Sequence, residues 1–326
     1  MLAGNIDDLM QYWAHSLSPD PDPPFINSND LYNTIDSVEM GHVQWQSFAL
    51  SYQAEEGKNV DDTPWKLKKF DVWYCDPYEV LKIQLSNHDL VHEMDLMAKR
   101  IFDPKTKQQH YQDFMSGEWA WEQSDILAQD NQNHGVIFCP VILGSDKMTV
   151  SVATGQNDYY LLYMSNRLIH NSVHQAHQNG VSLIAFLAIP KTDHKHDDSK
   201  EFRQFHRKFF HVSLSHILET LREGMASAVV MHYADGYYQR MIYGLGLYIV
   251  DYPEQVLLAC VVQDWCPKCT APNNGLDGNV KGWHTHKLME ALTEALDEKA
   301  LWFDYGIVSS IMYEGFPTKF YNLQLS

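Results

Sequence analysis

Apolar residues in this chain come mostly as short β-prone runs set off by turn residues, with helical spacing confined to a few stretches. Between residues 136 and 164, VIFCPVILGSD and KMTVSVAT predict two adjacent strands, GQND supplies turn chemistry, and YYLLYM predicts a third strand. SNRLIHNSVHQAHQNG reads as a connecting helix or irregular segment, and VSLIAFLAIP as a buried strand closed by proline. The polar KTDHKHDDSKE leads into a helix over roughly 200–223, with Gly224 placed to cap it. ASAVVMHY and a DG turn follow, and YQRMIYGLGLYIVDY predicts another buried strand ending on Asp251. An Asn/Gly-rich loop at 272–282 precedes a helix from about Thr285 to Lys299. Strands, then a helix, then a strand specify a mixed α/β fold.

Upstream the pattern changes. Residues 1–16 predict a short helix, which SPDPDPPF (18–25) stops, because proline cannot donate within a helix and restricts its neighbour. From Asp30 to about His134 the chain is rich in Trp and Tyr (VQWQSFALSY, DVWYCDPYEVL, FMSGEWAWEQSD), predicting alternating strands and short helices. The charged stretch Lys58–Lys69 reads as a surface loop. This divides the chain into an acidic, Pro-rich segment (1–29), an aromatic-rich α+β region (30–135) and an α/β core (136–326).

Composition narrows the function classes. With 45% apolar and 13% aromatic residues, the 326-residue chain buries a substantial core. Twenty-four basic against 42 acidic residues leave a formal charge of −18, which lacks the cationic surface that phosphate-backbone binding needs. No run of about 18 uncharged apolar residues occurs, so no membrane span is expected. The start MLAGNIDDLMQYW lacks the basic and apolar regions of a signal peptide. Five cysteines, odd and sparse, are no disulfide framework and fit a reducing compartment, nucleus or cytosol.

Two apolar runs each deliver one aspartate, Asp146 in Gly-Ser-Asp-Lys and Asp251 in Val-Asp-Tyr-Pro-Glu. A carboxylate at the end of a buried strand needs hydration, hydrogen bonds or a cation. Each also has an ordinary reading, Asp146 as a turn aspartate and Asp251 as a helix N-cap with Pro253 and Glu254 behind it. Cys266 and Cys269 have the spacing that lets two thiolates reach one tetrahedral Zn2+, with His284 and His286 after a loop to complete four ligands. A dithiol redox pair and two incidental thiols stay open. His170, His174 and His177 fall at helical spacing, which suits a metal, a proton relay or a solvated face. Gly-x-Ser-x-Gly, P-loop and dinucleotide-type glycine motifs are absent.

Longer stretches carry a resemblance. ILGSDKMTVSVATGQNDYY, SLIAFLAIPK, DYPEQVLLACVVQDWCPKCTAP, NGLDG and LWFDYGI, with VQWQSFALSY, FDVWYCDP and DFMSGEWAWEQSDILAQD upstream, resemble the Plavaka-type transposases of mushroom-forming fungi, relatives of CACTA-like cut-and-paste elements. The likeness spans roughly residues 30–313. It implies an RNase H-like core with a DDE carboxylate triad, the first acid on the first strand and the second just after the fourth. Asp146 and Asp251 match these positions, as ligands of Mg2+ or Mn2+ for DNA strand cleavage and transfer. Cys266, Cys269 and His286, with His284 as a fourth, match a zinc-binding insertion after the second acid.

The likeness also implies a nuclear location and, as partners, terminal-repeat DNA and intact transposase. The chain departs from the pattern in three ways. The third acid is expected beyond EGFPTKFYNLQLS, which makes this a truncated core, and nothing ties Glu290, Glu294 or Glu298 to the motif. His174 stands where a basic residue is expected, and the charge of −18 is unfavourable for DNA. The expectation is a transposase fragment inactive alone, with a non-catalytic DNA- or protein-binding module and a dithiol redox protein as the alternatives.

Overall fold

Runs of mostly buried side chains in the central strands build one mixed sheet, and the helices take the sequence between its strands. The computed structural model describes residues 3–17, 25–37, 43–54, 62–151, 157–175, 180–193, 195–197, 199–271, 274–275, 282–308 and 324–325. The predicted linker at 18–25 and the loop at 272–282 therefore lie largely outside the described residues. The chain forms two compact units, Met1–Gln44 and Trp45–Ser326. In the first, α1 (Ala3–Leu17) and α2 (Ser28–Ser37) are in contact, and Asp7 Oδ1 accepts the Ser28 N–H at the start of α2.

The second unit begins with β1 (Trp45–Ser51), α3 (Pro64–Leu67), β2 (Lys69–Cys75) and α4 (Pro77–Ser86). Two short strands, β3 (Ile101–Phe102) and β4 (Gln109–His110), and α5 (Glu118–Ala128) precede the long strand β5 (Ile137–Ser151). Then come β6 (Asn157–Asn166), α6 (Asn171–Gln175), β7 (Val181–Leu187), α7 (Lys200–Ile217), α8 (Arg222–Ala226), β8 (Val229–His232) and β9 (Tyr238–Ile249). The chain continues through α9 (Tyr252–Leu258), α10 (His286–Ala295), α11 (Glu298–Asp304) and β10 (Gln324–Leu325). Among the described residues no helix is long and apolar enough to cross a membrane.

The sheet runs β1-β2-β7-β6-β5-β9-β10, with β8 also on β9. β5, β6 and β7 form an antiparallel meander; β9, reached through α7, lies parallel to β5. That ladder contains a bulge: Val141 pairs with Leu245, but Leu143 pairs with Tyr248, so β9 carries one extra residue in the interval. Gly246 lies there, and a Cβ on it would touch the Phe114 and Trp119 rings at 3.4 Å.

α7 shows how the sequence makes its own packing. Ser199 caps it by accepting the Phe202 N–H at 3.2 Å, and Phe202, Phe205, Phe209, Leu214 and Ile217 recur at helical spacing on one buried face. Trp65 and Phe70 meet that face, with ring centroids 5.2 Å from Phe202 and 5.7 Å from Phe209 respectively.

Three local expectations are corrected. VIFCPVILGSD and KMTVSVAT are one strand: Gly144, Ser145 and Asp146 pair with Tyr163, Leu162 and Leu161 of β6, so ladder bonds take the backbone groups a turn would need. The helix expected to end at Gly224 ends at Ile217, and Gly224 sits inside α8, where a Cβ would come within 2.3 Å of the Tyr243 ring. The last helix divides in two, because Leu296 is extended and Asp297 starts α11 by accepting the Ala300 N–H at 2.8 Å.

Candidate functional site

Asp146 lies on β5, and Asp251 follows the end of the parallel neighbouring strand β9 by two residues. The last register pair of β5 and β9 is Gly144 with Ile249, and Asp146 and Asp251 each follow it by two residues. Because side chains alternate along a strand, that step keeps Asp146 on the face of Gly144, while Asp251 leaves β9 and opens α9. Both are exposed, and among the described residues Asp146 makes no hydrogen bond or ion pair. Asp251 is the N-cap of α9: its Oδ1 accepts the Glu254 N–H at 3.1 Å. The cap therefore takes one oxygen and leaves Oδ2 for a ligand.

Glu254, which sequence reasoning treated only as a capping residue, belongs to this region. Its Oε2 accepts from Ser145 Oγ at 2.7 Å, and Ser145 in turn accepts from the buried Tyr248 hydroxyl at 3.2 Å. Burial holds the Glu254 carboxyl above the usual carboxylate range; the Ser145 and Tyr160 hydroxyls lower it, and the charges of Asp251 and Asp146 raise it again. Those last two effects report that three carboxylates share one neighbourhood. A cavity of about 260 Å³ opens beside Asp146, lined by Gly144, Tyr163, Arg167 and Ile249 among others. Arg167 thus places a cation near the acids. His174, the position where a basic residue was expected, is held below the ordinary histidine range by burial and by Arg167.

The cysteine pair follows α9. The Cys269 N–H points at Cys266 Sγ at 3.4 Å, and a backbone bridge joins Cys269 to Trp283. His284 donates its N–H to Lys268 O at 2.9 Å, so the histidine is fixed to the same hairpin. Its Nε2 is buried without a hydrogen-bond partner, an atom that a metal would satisfy. The side chain of His286, the first residue of α10, lies outside the described residues. Burial opposes the Cys266 thiolate, but the Cys269 thiol, the backbone N–H groups of Lys268 and Cys269, and the Lys268 charge hold its pKa below the ordinary value. Burial raises Cys269. Val261, Trp265, Met289, Leu301 and Ile307 form a separate small core beneath this segment. Two sulfurs and an imidazole nitrogen are donors of the kind Zn2+ takes, but among the described residues Cys266, Cys269 and His284 do not bring three ligand atoms within 4.8 Å of one another.

A cationic groove, hidden by the acidic composition, lies between α7 and α11. Lys200, Arg203 and Arg207 fall at three- and four-residue spacing on α7, and with Lys299 and Trp302 they line a cavity of about 540 Å³. The Arg207 guanidinium lies 5.8 Å from the Trp302 ring centroid, and Lys200 pairs with Glu298 at 2.8 Å. Helical periodicity of these cations was the signal available in the sequence. Glu290 and Glu294 are exposed on α10 and Glu298 on α11.

No curated protein matches the chain. The family model described as Plavaka transposase matches residues 25–323. That span takes in both aspartates, the Cys-x-x-Cys hairpin and the cationic groove, and the chain belongs to the Plavaka transposase family.

Proposed function

We propose that Asp146 and Asp251 hold a divalent ion, Mg2+ or Mn2+, for phosphodiester chemistry on DNA, in a transposase-derived chain that binds DNA without cutting it alone. The parallel pairing of β5 with β9 carries this reading, because it sets both carboxylates two residues beyond one register pair. The sheet order supports an RNase H-like core: three antiparallel strands, then α7, α8 and the short strand β8, then β9 parallel to the first on its far side. When bound, such an ion polarises a phosphoryl oxygen and lowers the pKa of its water.

The chain's own residues do the remaining work. Ser145 anchors Glu254, which fixes the first turn of α9 and hence Asp251. Arg167 beside Asp146, and the Lys200, Arg203 and Arg207 face of α7, offer cations to the DNA backbone. Terminal-repeat DNA and an intact transposase as partners, a nuclear location, and Zn2+ on Cys266, Cys269, His284 and His286 complete the reading.

The test measures binding and cutting together. Labelled terminal-repeat DNA should stay intact with Mg2+ or Mn2+, while the chain takes up an Mn2+ equivalent, seen by EPR, that Asp146→Asn and Asp251→Asn abolish. Nicking that disappears in Asp146→Ala would show the centre to be complete. Mn2+ uptake unchanged in both asparagine variants would remove the site.

A further inference from the structure

We propose a third metal site, unrelated to the catalytic aspartates and the cysteine hairpin, formed by Asp95, Asp113 and His170 and suited to Zn2+ or a similar first-row divalent ion. Among the described residues, these three bring a ligand atom each to within 4.8 Å of one another. They come from three separate segments, and the backbone holds each in place. Met94 and Ile169 form an antiparallel bridge, flanked by Asp95 N–H to Leu168 O and His170 N–H to Glu93 O, both at 2.8 Å. Asp113 Oδ1 accepts the Asn171 N–H at 2.8 Å, and the Asn171 amide donates to Gln112 O at 3.3 Å.

The histidine is oriented as a ligand would be. Glu93 Oε2 lies 3.4 Å from His170 Nδ1, an arrangement that keeps the ring proton there and presents Nε2 as a donor atom. That Nε2 is buried, makes no hydrogen bond, and faces Asp95 Oδ1 at 3.3 Å. A lone pair facing a carboxylate across this distance is unfavourable unless a cation lies between them or the ring carries a second proton. Lys99 Nζ takes the other Asp95 oxygen at 2.6 Å, leaving Oδ1 for the ion. The contacts therefore set three carboxylates against one ammonium, a surplus of negative charge that a divalent ion neutralises.

One imidazole nitrogen with two carboxylate oxygens suits Zn2+ better than Mg2+, which prefers oxygen alone. The ion fastens the excursion between α4 and α5 to the turn between β6 and α6.

Co2+ separates this site from the others, because thiolate ligands give an intense near-ultraviolet charge-transfer band that nitrogen and oxygen ligands lack. The full, reduced chain is loaded with Co2+ in excess Mg2+, which competes for the aspartate pair. One equivalent without the thiolate band is expected, lost in both His170→Gln and Asp113→Asn. Asp113→Asn keeps the oxygen that accepts from Asn171, so it decides alone if His170→Gln fails to fold. Glu93→Gln should keep that equivalent but bind it roughly 10- to 100-fold more weakly, as loss of an outer partner does. The same Co2+ stoichiometry in wild type and folded Asp113→Asn would overturn the site and leave a protonated His170 bridging Glu93 and Asp95.

Discussion

His211 on α7 is the residue most exposed to acid, although water hardly reaches it. It is 4% exposed, and its Nε2 donates to Leu257 O at 3.0 Å with Cys260 Sγ at 3.6 Å. Burial lowers its pKa to about 4, whereas the unfolded chain takes up that proton near 6.5. The unfolded state therefore binds more protons between these values. Stability is complete above about pH 6.5 and is lost as pH falls toward 4, by up to about 3 kcal/mol. Urea melts across that range should show the loss, and His211→Gln should flatten it. At this scale some chemistry was legible and some was not. Asp251 was readable both as a cap and as a ligand, and its two oxygens permit both roles. Asp95, Asp113 and His170 have no telling spacing, because their approach depends on one backbone bridge and on the Asn171 N–H to Asp113 bond, between distant segments.

α9 separates those two roles of Asp251 by experiment. Asp251→Ala removes the cap and should cost about 1 kcal/mol in chemical denaturation, while Asp251→Asn caps as well and should cost only a few tenths. Both should lose the divalent ion, so loss of the ion without loss of stability in Asp251→Asn would assign the charge to binding. On the proposed reading, Zn2+ holds the hairpin that follows. Cys269→Ser should release one Zn2+ and open the 266–284 segment to protease under reducing conditions; a metal-free wild-type protein would favour two incidental thiols. The sequence showed these elements wherever period and cap agreed, as at Ser199 and Asp251. It misled where local turn chemistry competed with a ladder, as at Gly144–Asp146. The cost of breaking the hydrogen bonds from β5 to β6 outweighs a turn preference, and no local pattern records the neighbouring strand.

Across the whole molecule, a charge of −18 coexists with a groove presenting Lys200, Arg203, Arg207 and Lys299. With Lys200 partly occupied by Glu298, log-affinity for duplex DNA should fall with log-salt at a slope of about −3. Arg203→Ala with Arg207→Ala should bring the slope toward about −1, and an unchanged slope would place DNA elsewhere. Net charge hid this groove because composition averages over faces. The bulge on β9 has a consequence of another kind. Were the same residues paired without the bulge, Val250 would stand opposite Asp146, and Asp251 would turn to the other side of the sheet. The two aspartates are thus coupled by counting rather than by contact. Larger side chains at Gly246 should be tolerated poorly against the Phe114 and Trp119 rings. Deletion of one residue between Leu245 and Tyr248 should only close the bulge, but deletion of Val250 should turn Asp251 away from Asp146 and silence the pair while leaving both aspartates in the chain.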